Sequence, residues 1–168
     1  MEAPVSGSRP HAEAGQLVYL VAGEQAVFEQ AKTVLAVMGK IPEQVIGQIA
    51  AGALAKLTIN TLMGVQVAAL AELITMLKQQ NADVNSILQA VSATSAWSGV
   101  AQMAANSISN ENFAPLFPVE LLAKDLHYTL ESTNQAPVIT QTSRLFNQAI
   151  EQGYGNLQMT AMVKVLEK

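Results

Sequence analysis

The hydrophobic and polar positions of this chain change their rhythm once, near residue 46. Gln16 to Val21 (QLVYLV) is rich in β-formers and closes on Ala22-Gly23, which predicts a strand. From Ala26 to Met38 the apolar residues Val27, Ala31, Val34, Leu35 and Met38 recur at the helical period, and the stripe stops at Gly39. Ile41 to Ile46 is a short apolar run after that glycine and predicts a second strand. The opening reads strand, helix, strand.

From Gly47 onward the period is helical throughout. One long helix is predicted from about Gln48 to Gln80, apolar on nearly all sides, as a helix buried in a bundle would be. Asp83 stands where it can cap the next helix, whose apolar positions are Val84, Ile87, Leu88 and Val91. A further helix covers about Ser95 to Ile108, and Ser109 to Phe117 (SNENFAPLF) is a loop by composition. Pro118 opens a helix to about Asn134, and Pro137 opens another to about Gln152, stopped by Gly153-Tyr154-Gly155. Leu157 to Leu166 forms the last. The fold expected is mainly α: a helical domain over 47–168 around one long buried helix, behind a small β/α segment over 1–46.

Composition sharpens this picture. Only 13% of the 168 residues are charged, against roughly 25% in ordinary soluble domains. Between Gln44 and Asn110 the only charged residues are Lys56, Glu72, Lys78 and Asp83. A domain facing water alone rarely leaves so long a stretch uncharged, so part of this surface is expected to be covered. Lipid is a poor candidate for the cover. Leu57 to Ala71, between Lys56 and Glu72, falls short of the about 20 apolar residues a spanning helix needs, and it contains Asn60 and Gln66. The net charge of -4 removes an electrostatic case for nucleic acid. The absence of cysteine excludes a disulfide scaffold, a thiolate zinc site and a cysteine nucleophile. MEAPVSGSRP has no apolar core behind a basic start, so no signal peptide is expected and the chain is assigned to the cytoplasm.

Candidate chemistry concentrates at Lys56. It lies in the most apolar part of the chain, with Gly52 one turn before it, Asn60 one turn after and Gly64 a turn beyond, all on one helical face. Poor access to water disfavours the charged form of a lysine, and such a group exchanges a proton near neutral pH, as a general acid/base must. Asn60 is placed to hold a substrate hydroxyl or carbonyl, and the glycines permit close approach by a ligand or another backbone. A lone K-x-x-x-N is common, and spacing alone fits better with Lys56 reaching to the bundle rim and Asn60 making a buried polar contact. Pro4-Val5-Ser6-Gly7-Ser8 forms a polar turn whose backbone N–H groups suit a carboxylate. Lys124-Asp125 has the composition of a solvated surface pair. The two histidines, His11 and His127, have no ligand spacing, so no metal site is expected, and no G-x-G-x-x-G or Walker loop occurs.

Taken in order, Glu2 to Ser8, Ala14 to Leu17, Gly47 to Asn60 (GQIAAGALAKLTIN), Phe117 with Lys124-Asp125-Leu126, and Gly153 to Leu157 resemble the β-hydroxyacid dehydrogenase family, which includes 3-hydroxyisobutyrate dehydrogenases and glyoxylate/succinic semialdehyde reductases. The resemblance spans essentially the whole chain. It implies that 1–46 is the C-terminal remnant of an NAD(P)-binding Rossmann domain. It also implies that 47–168 is a substrate and dimerisation domain like the C-terminal domain of 6-phosphogluconate dehydrogenase. By residue, the resemblance makes Lys56 the catalytic proton donor and Asn60 the substrate-orienting amide. Ser6 and Gly7 become the turn that holds the substrate carboxylate, and Lys124 the lysine that approaches the cofactor. Three positions depart from the family pattern: Ser8 and Ala50 stand where glycine is usual, and Gln158 where aspartate is common.

The phosphate-binding glycine loop expected at the start of such enzymes is missing from this sequence. NAD or NADP is therefore expected to serve the complete enzyme and not to bind tightly to this chain alone. Two functions follow from the resemblance. One is the C-terminal catalytic and dimerisation portion of an NAD(P)-dependent oxidoreductase, acting on a small carboxylate-bearing aldehyde, keto acid or hydroxy acid. The alternative is a non-catalytic helical dimerisation module from a truncated homologue. A homodimer is expected in both, with no nucleic-acid or membrane partner.

Overall fold

The β-rich opening builds a small three-stranded sheet. In the computed structural model, which describes residues 1–42 and 44–167, β1 (Val5–Ser6) pairs antiparallel with β2 (Leu17–Tyr19), with Val5 opposite Tyr19 and Ser6 opposite Val18. β3 (Gly39–Lys40) pairs parallel on the other side of β2, with Leu17 opposite Gly39. A short helix α1 (Arg9–Glu13) joins β1 to β2, and α2 (Gln25–Leu35) makes the crossover that a parallel neighbour requires. Tyr19, Val21 and Phe28 form the core of this unit, flanked by Ala3, Val5, Leu35, Ile41 and Val45.

Three expectations need correction here. The strand predicted over 41–46 is not one; Glu43 lies outside the described residues, and sheet pairing falls instead on Gly39–Lys40. The 41–46 segment still meets the sheet's extension, since the Ile46 N–H donates to the Val21 carbonyl at 2.8 Å. Gly39, taken as a helix stop, is a strand residue whose missing side chain admits the Leu17 carbonyl, so α2 must end early, at Leu35. Neither β1 nor α1 was expected, because two and five residues are too short to set a period.

The helical region follows the predicted order. α3 (Ala51–Gln79) is the long helix, followed by α4 (Val84–Ser92), α5 (Gly99–Ser109), α6 (Val119–Glu131), α7 (Pro137–Glu151) and a closing 3-10 helix (Met159–Val165). Asp83 caps α4 as expected, accepting from the Ser86 N–H at 3.1 Å and the Ser86 hydroxyl at 2.6 Å. α5 starts at Gly99, later than predicted, because Ser98 is its cap and accepts from the Ala101 N–H at 3.0 Å. The last segment is a 3-10 helix whose entrance is held by backbone bonds from the Gln158 N–H to the Phe113 carbonyl and from the Met159 N–H to the Phe117 carbonyl.

The chain divides into two compact units, Met1–Ile59 and Asn60–Lys168. In the second, Val67, Ala71 and Ile74 of α3 pack with Ala104 and Ile108 of α5, Leu122 and Leu126 of α6, and Phe146 of α7. The long helix is not buried all round, however. Leu62, Leu73 and Met76 share a second stripe and are 59%, 50% and 47% exposed. Judging span length from the distance between charges also understated this helix: an 18-residue window has mean hydropathy 1.5, enough by length and composition to cross a membrane. The buried stripe shows what that apolarity does in this fold, which is to build the bundle core.

Candidate functional site

Ser6 ends β1, where its pairing with Val18 fixes it, and Gly7 follows at φ 134°, a conformation that side chains disfavour. A Cβ on Gly7 would stand 3.0 Å from Leu17 Cδ2 and 3.1 Å from His11 Cβ, so the turn is closely fitted. Ser8 is the cap residue of α1, and its N–H donates to His11 Nδ1 at 3.2 Å. That corrects the expectation of an open nest over residues 4–8: one end is strand, and the Ser8 N–H is already used. Ser8 has φ -104°, so serine in place of glycine carries no backbone strain.

The start of α3 is fixed in the same unit. Glu2 Oε1 accepts from the Gly52 N–H at 2.8 Å and the Ala53 N–H at 3.2 Å, supplying from 50 residues away the acceptor that a helix start needs. Gly52 sits where a Cβ would meet the Leu20 carbonyl oxygen at 2.5 Å. The close approach expected at this glycine is therefore made by backbone. Ala50, just before the helix, has φ 83°, the left-handed region where glycine is at ease. Its departure from the family pattern falls where the backbone favours the glycine. Lys56, one turn after Gly52, is half-buried. Ser6, Gly7 and Lys56 thus belong to one compact unit, tied together through Glu2, Pro4 and Leu20.

Asn60 opens the second unit and is 2% exposed. Its Nδ2 donates to Asp125 Oδ2 at 2.6 Å, a charge-assisted bond. A turn further, the Thr129 hydroxyl donates to the Asp125 carbonyl at 2.9 Å, so Thr61 must be the donor to Thr129 at 2.8 Å. Beyond these, Gly64 lets Leu122 and Leu126 approach, with Leu122 Cδ2 3.4 Å from its would-be Cβ. α3 and α6 are therefore joined by two polar ties and a close apolar contact in succession. Asp125, expected on a solvated surface, has a side chain only 14% exposed, whereas Lys124 is 52% exposed, with Nζ 3.5 Å from Asp125 Oδ1. Sequence reasoning missed the roles of Asp125 and Glu2. The K-D dipeptide was a signal for the first; nothing local marked the second.

Gln158 is buried, and its Oε1 accepts from the Leu116 and Phe117 N–H groups at 3.0 and 2.8 Å. It fixes the loop that delivers Phe117 and the start of α6. His127 is exposed beside Glu131 on α6. Among the described residues no three metal-ligating side chains come together.

Residues 50–166 match the family model described as NAD-binding of NADP-dependent 3-hydroxyisobutyrate dehydrogenase. Residues 1–52 match that of the NAD binding domain of 6-phosphogluconate dehydrogenase. The chain is 30% identical over 171 residues to glyoxylate/succinic semialdehyde reductase 2, chloroplastic, of Arabidopsis thaliana, covering 99% of this chain and 48% of the relative. It is 28% identical over 171 residues to 2-hydroxy-3-oxopropionate reductase of Escherichia coli (strain K12), covering 99% and 58%. The solved structure of Mycobacterium tuberculosis 3-hydroxyisobutyrate dehydrogenase with L-serine has the same fold, with a TM-score of 0.87 at 23% identity over 99% of this chain and 60% of that one. The chain spans about half the length of the curated relatives it matches.

Proposed function

The chain belongs to the β-hydroxyacid dehydrogenase family, and from that premise we propose that it is the C-terminal catalytic and dimerisation portion of an NAD(P)-dependent oxidoreductase. The reaction is the interconversion of a small hydroxy acid and its aldehyde or keto acid, in the cytoplasm. Residues 1–46 act as the end of the nucleotide-binding domain and 47–168 as the substrate and dimerisation domain.

The observation that carries this reading is the Lys56/Asn60 pair on successive turns of α3, with Asn60 buried and held by Asp125. A carbonyl that takes a hydride needs a proton on its oxygen, and Lys56 supplies it. Asn60 orients that oxygen; with one Nδ2 hydrogen committed to Asp125, the amide presents its face in one fixed way. Ser6 and Gly7 hold the substrate carboxylate at the rigid end of β1.

When bound, the nicotinamide cofactor supplies the hydride. The residues fit it in part. The exposed ammonium of Lys124 suits a cofactor phosphate or ribose hydroxyl, while the glycine loop for the pyrophosphate is not in this sequence. Tight binding of NAD or NADP is therefore proposed for the complete enzyme only.

The test is Lys56→Ala in a protein joined to a nucleotide-binding domain, assayed for reduction of a small carboxylate-bearing aldehyde. Turnover should fall about 10²–10⁴-fold, the range for a lost general acid. Unchanged turnover overturns the assignment. The exposed Leu62, Leu73 and Met76 stripe favours a homodimer and also suits a second reading, a non-catalytic dimerisation module. That module would dimerise in light scattering yet show no dependence of any turnover on Lys56.

A further inference from the structure

Between α4 and α5 lies a cavity of about 420 Å³, within the range of small-molecule sites. None of its lining residues belongs to the proposed reductase site, and none is charged. Instead it presents amides: Asn85 and Gln89 from α4, and Gln102, Asn106 and Asn110 from α5, with Trp97 beside them.

The orientation of the α5 amides follows from one donor. The Trp97 indole N–H can only donate, and it donates to Gln102 Oε1 at 2.9 Å. Gln102 must then turn its Nε2 outward, and this donates to Asn106 Oδ1 at 3.0 Å. The chain ends with the Nδ2 of Asn106 as a donor, polarised by the bonds behind it. One turn on, Asn110 Nδ2 donates to the Asn106 carbonyl at 2.8 Å, which leaves its Oδ1 as an acceptor. Donor and acceptor therefore alternate along α5, opposite a second pair of amides on α4.

A charged ligand would find no counter-charge here, and an apolar one would strip water from the amides without replacing their hydrogen bonds. A molecule bearing several neutral hydroxyls satisfies both rows, since each hydroxyl donates once and accepts once. Its C–H face can lie against the indole. We propose that the α4–α5 cavity is a binding site for a neutral polyhydroxylated molecule, a monosaccharide or sugar alcohol.

Trp97 is the only tryptophan in the chain, so its emission reports the cavity directly. The whole protein is titrated with D-glucose and with sorbitol, and with sodium acetate as the charged control. A saturable change in Trp97 emission is expected with one of the two neutral probes, with half-saturation at about 1–10 mM. Gln89→Ala and Asn106→Leu should each raise that value at least tenfold. Should Asn106→Leu fail to fold by circular dichroism, Gln89→Ala, at an exposed position, carries the test alone. Three results overturn the proposal: a non-saturating change that is the same in the variants, saturation by acetate at equal concentration, or emission that varies with protein concentration alone because a second copy fills the cavity.

Discussion

Replacing Gly52 by alanine adds one methyl group to the helix turn that leads to Lys56. The new Cβ would stand 2.5 Å from the Leu20 carbonyl oxygen, 3.0 Å from Glu2 Oε1 and 3.1 Å from Pro4 Cδ. Ordinary carbon contacts begin near 3.5 Å, so about 1 Å of movement is needed. The Leu20 carbonyl is backbone, and its residue is tied down by the Leu20 N–H donating to Pro4 at 2.8 Å. Overpacking of this kind costs about 1–3 kcal/mol, while alanine in a helix returns about 0.8–1 kcal/mol over glycine. An approach of 2.5 Å to fixed backbone puts the cost near the upper end of that range, so sterics win, and the net expected loss is about 2 kcal/mol, or a fall of roughly 4–8 °C in Tm for a chain of this size. Gly99→Ala is the counterpart, because among the described residues nothing beyond its own chain neighbours and helix backbone lies within 4 Å of its would-be Cβ; it should be neutral or stabilise by up to about 1 kcal/mol. Thermal and urea unfolding followed by circular dichroism measures both. A Gly52→Ala protein as stable as its parent would show that the Leu20 carbonyl does not bear on the helix, and the account of how Lys56 is positioned would fail with it.

Ala50→Gly should stabilise by about 0.5–1 kcal/mol by relieving the left-handed backbone at φ 83°, and a lower urea midpoint would contradict this. A double-mutant cycle on Asn60→Ala and Asp125→Ala should give a coupling of about 1.5–3 kcal/mol in urea unfolding, as for a hydrogen bond to a charged group; additive losses would mean that the 2.6 Å bond is not formed in solution. The Ser86 hydroxyl and N–H hold the Asp83 carboxyl below its ordinary value of 3.8. The cap is therefore complete above the unfolded value and is lost as pH falls through the lower folded one. NMR shifts of Val84–Ser92 should lose helical character only in that acid window, and Asp83→Asn should flatten the response; a transition near neutral pH would refute the cap as its source.

The elements that could be read in advance were those with many repeats of one period. α3, α6 and α7 declared themselves through apolar spacing and proline starts, and Asp83 through the run it precedes. What escaped was decided by distant chain. Whether Gly39 ends a helix or joins a sheet depends on Leu17, and the entrance of Met159–Val165 is held by Phe113 and Phe117, far back in the chain. The proposed site shows the same division. Lys56 and Asn60 were legible because one helix sets their spacing. Asp125 looked like a surface residue until the bond from Asn60, 65 positions away, drew it inward. Glu2 shows nothing in its neighbours of the helix it caps.

The Glu2 clasp also sets an expectation for the order of folding. Bringing residue 2 to residue 52 through an unstructured chain costs on the order of 3 kcal/mol of closure entropy, which takes up much or all of the about 3–6 kcal/mol that two N–H bonds to a carboxylate return. Once β2, α2 and β3 have formed, that span is already folded back on itself, and closing the clasp becomes a short final step. The first turn of α3 is therefore expected to settle against the sheet late, after the βαβ unit exists. Lys56, one turn further along α3, is then expected to take up its place only after that unit is built.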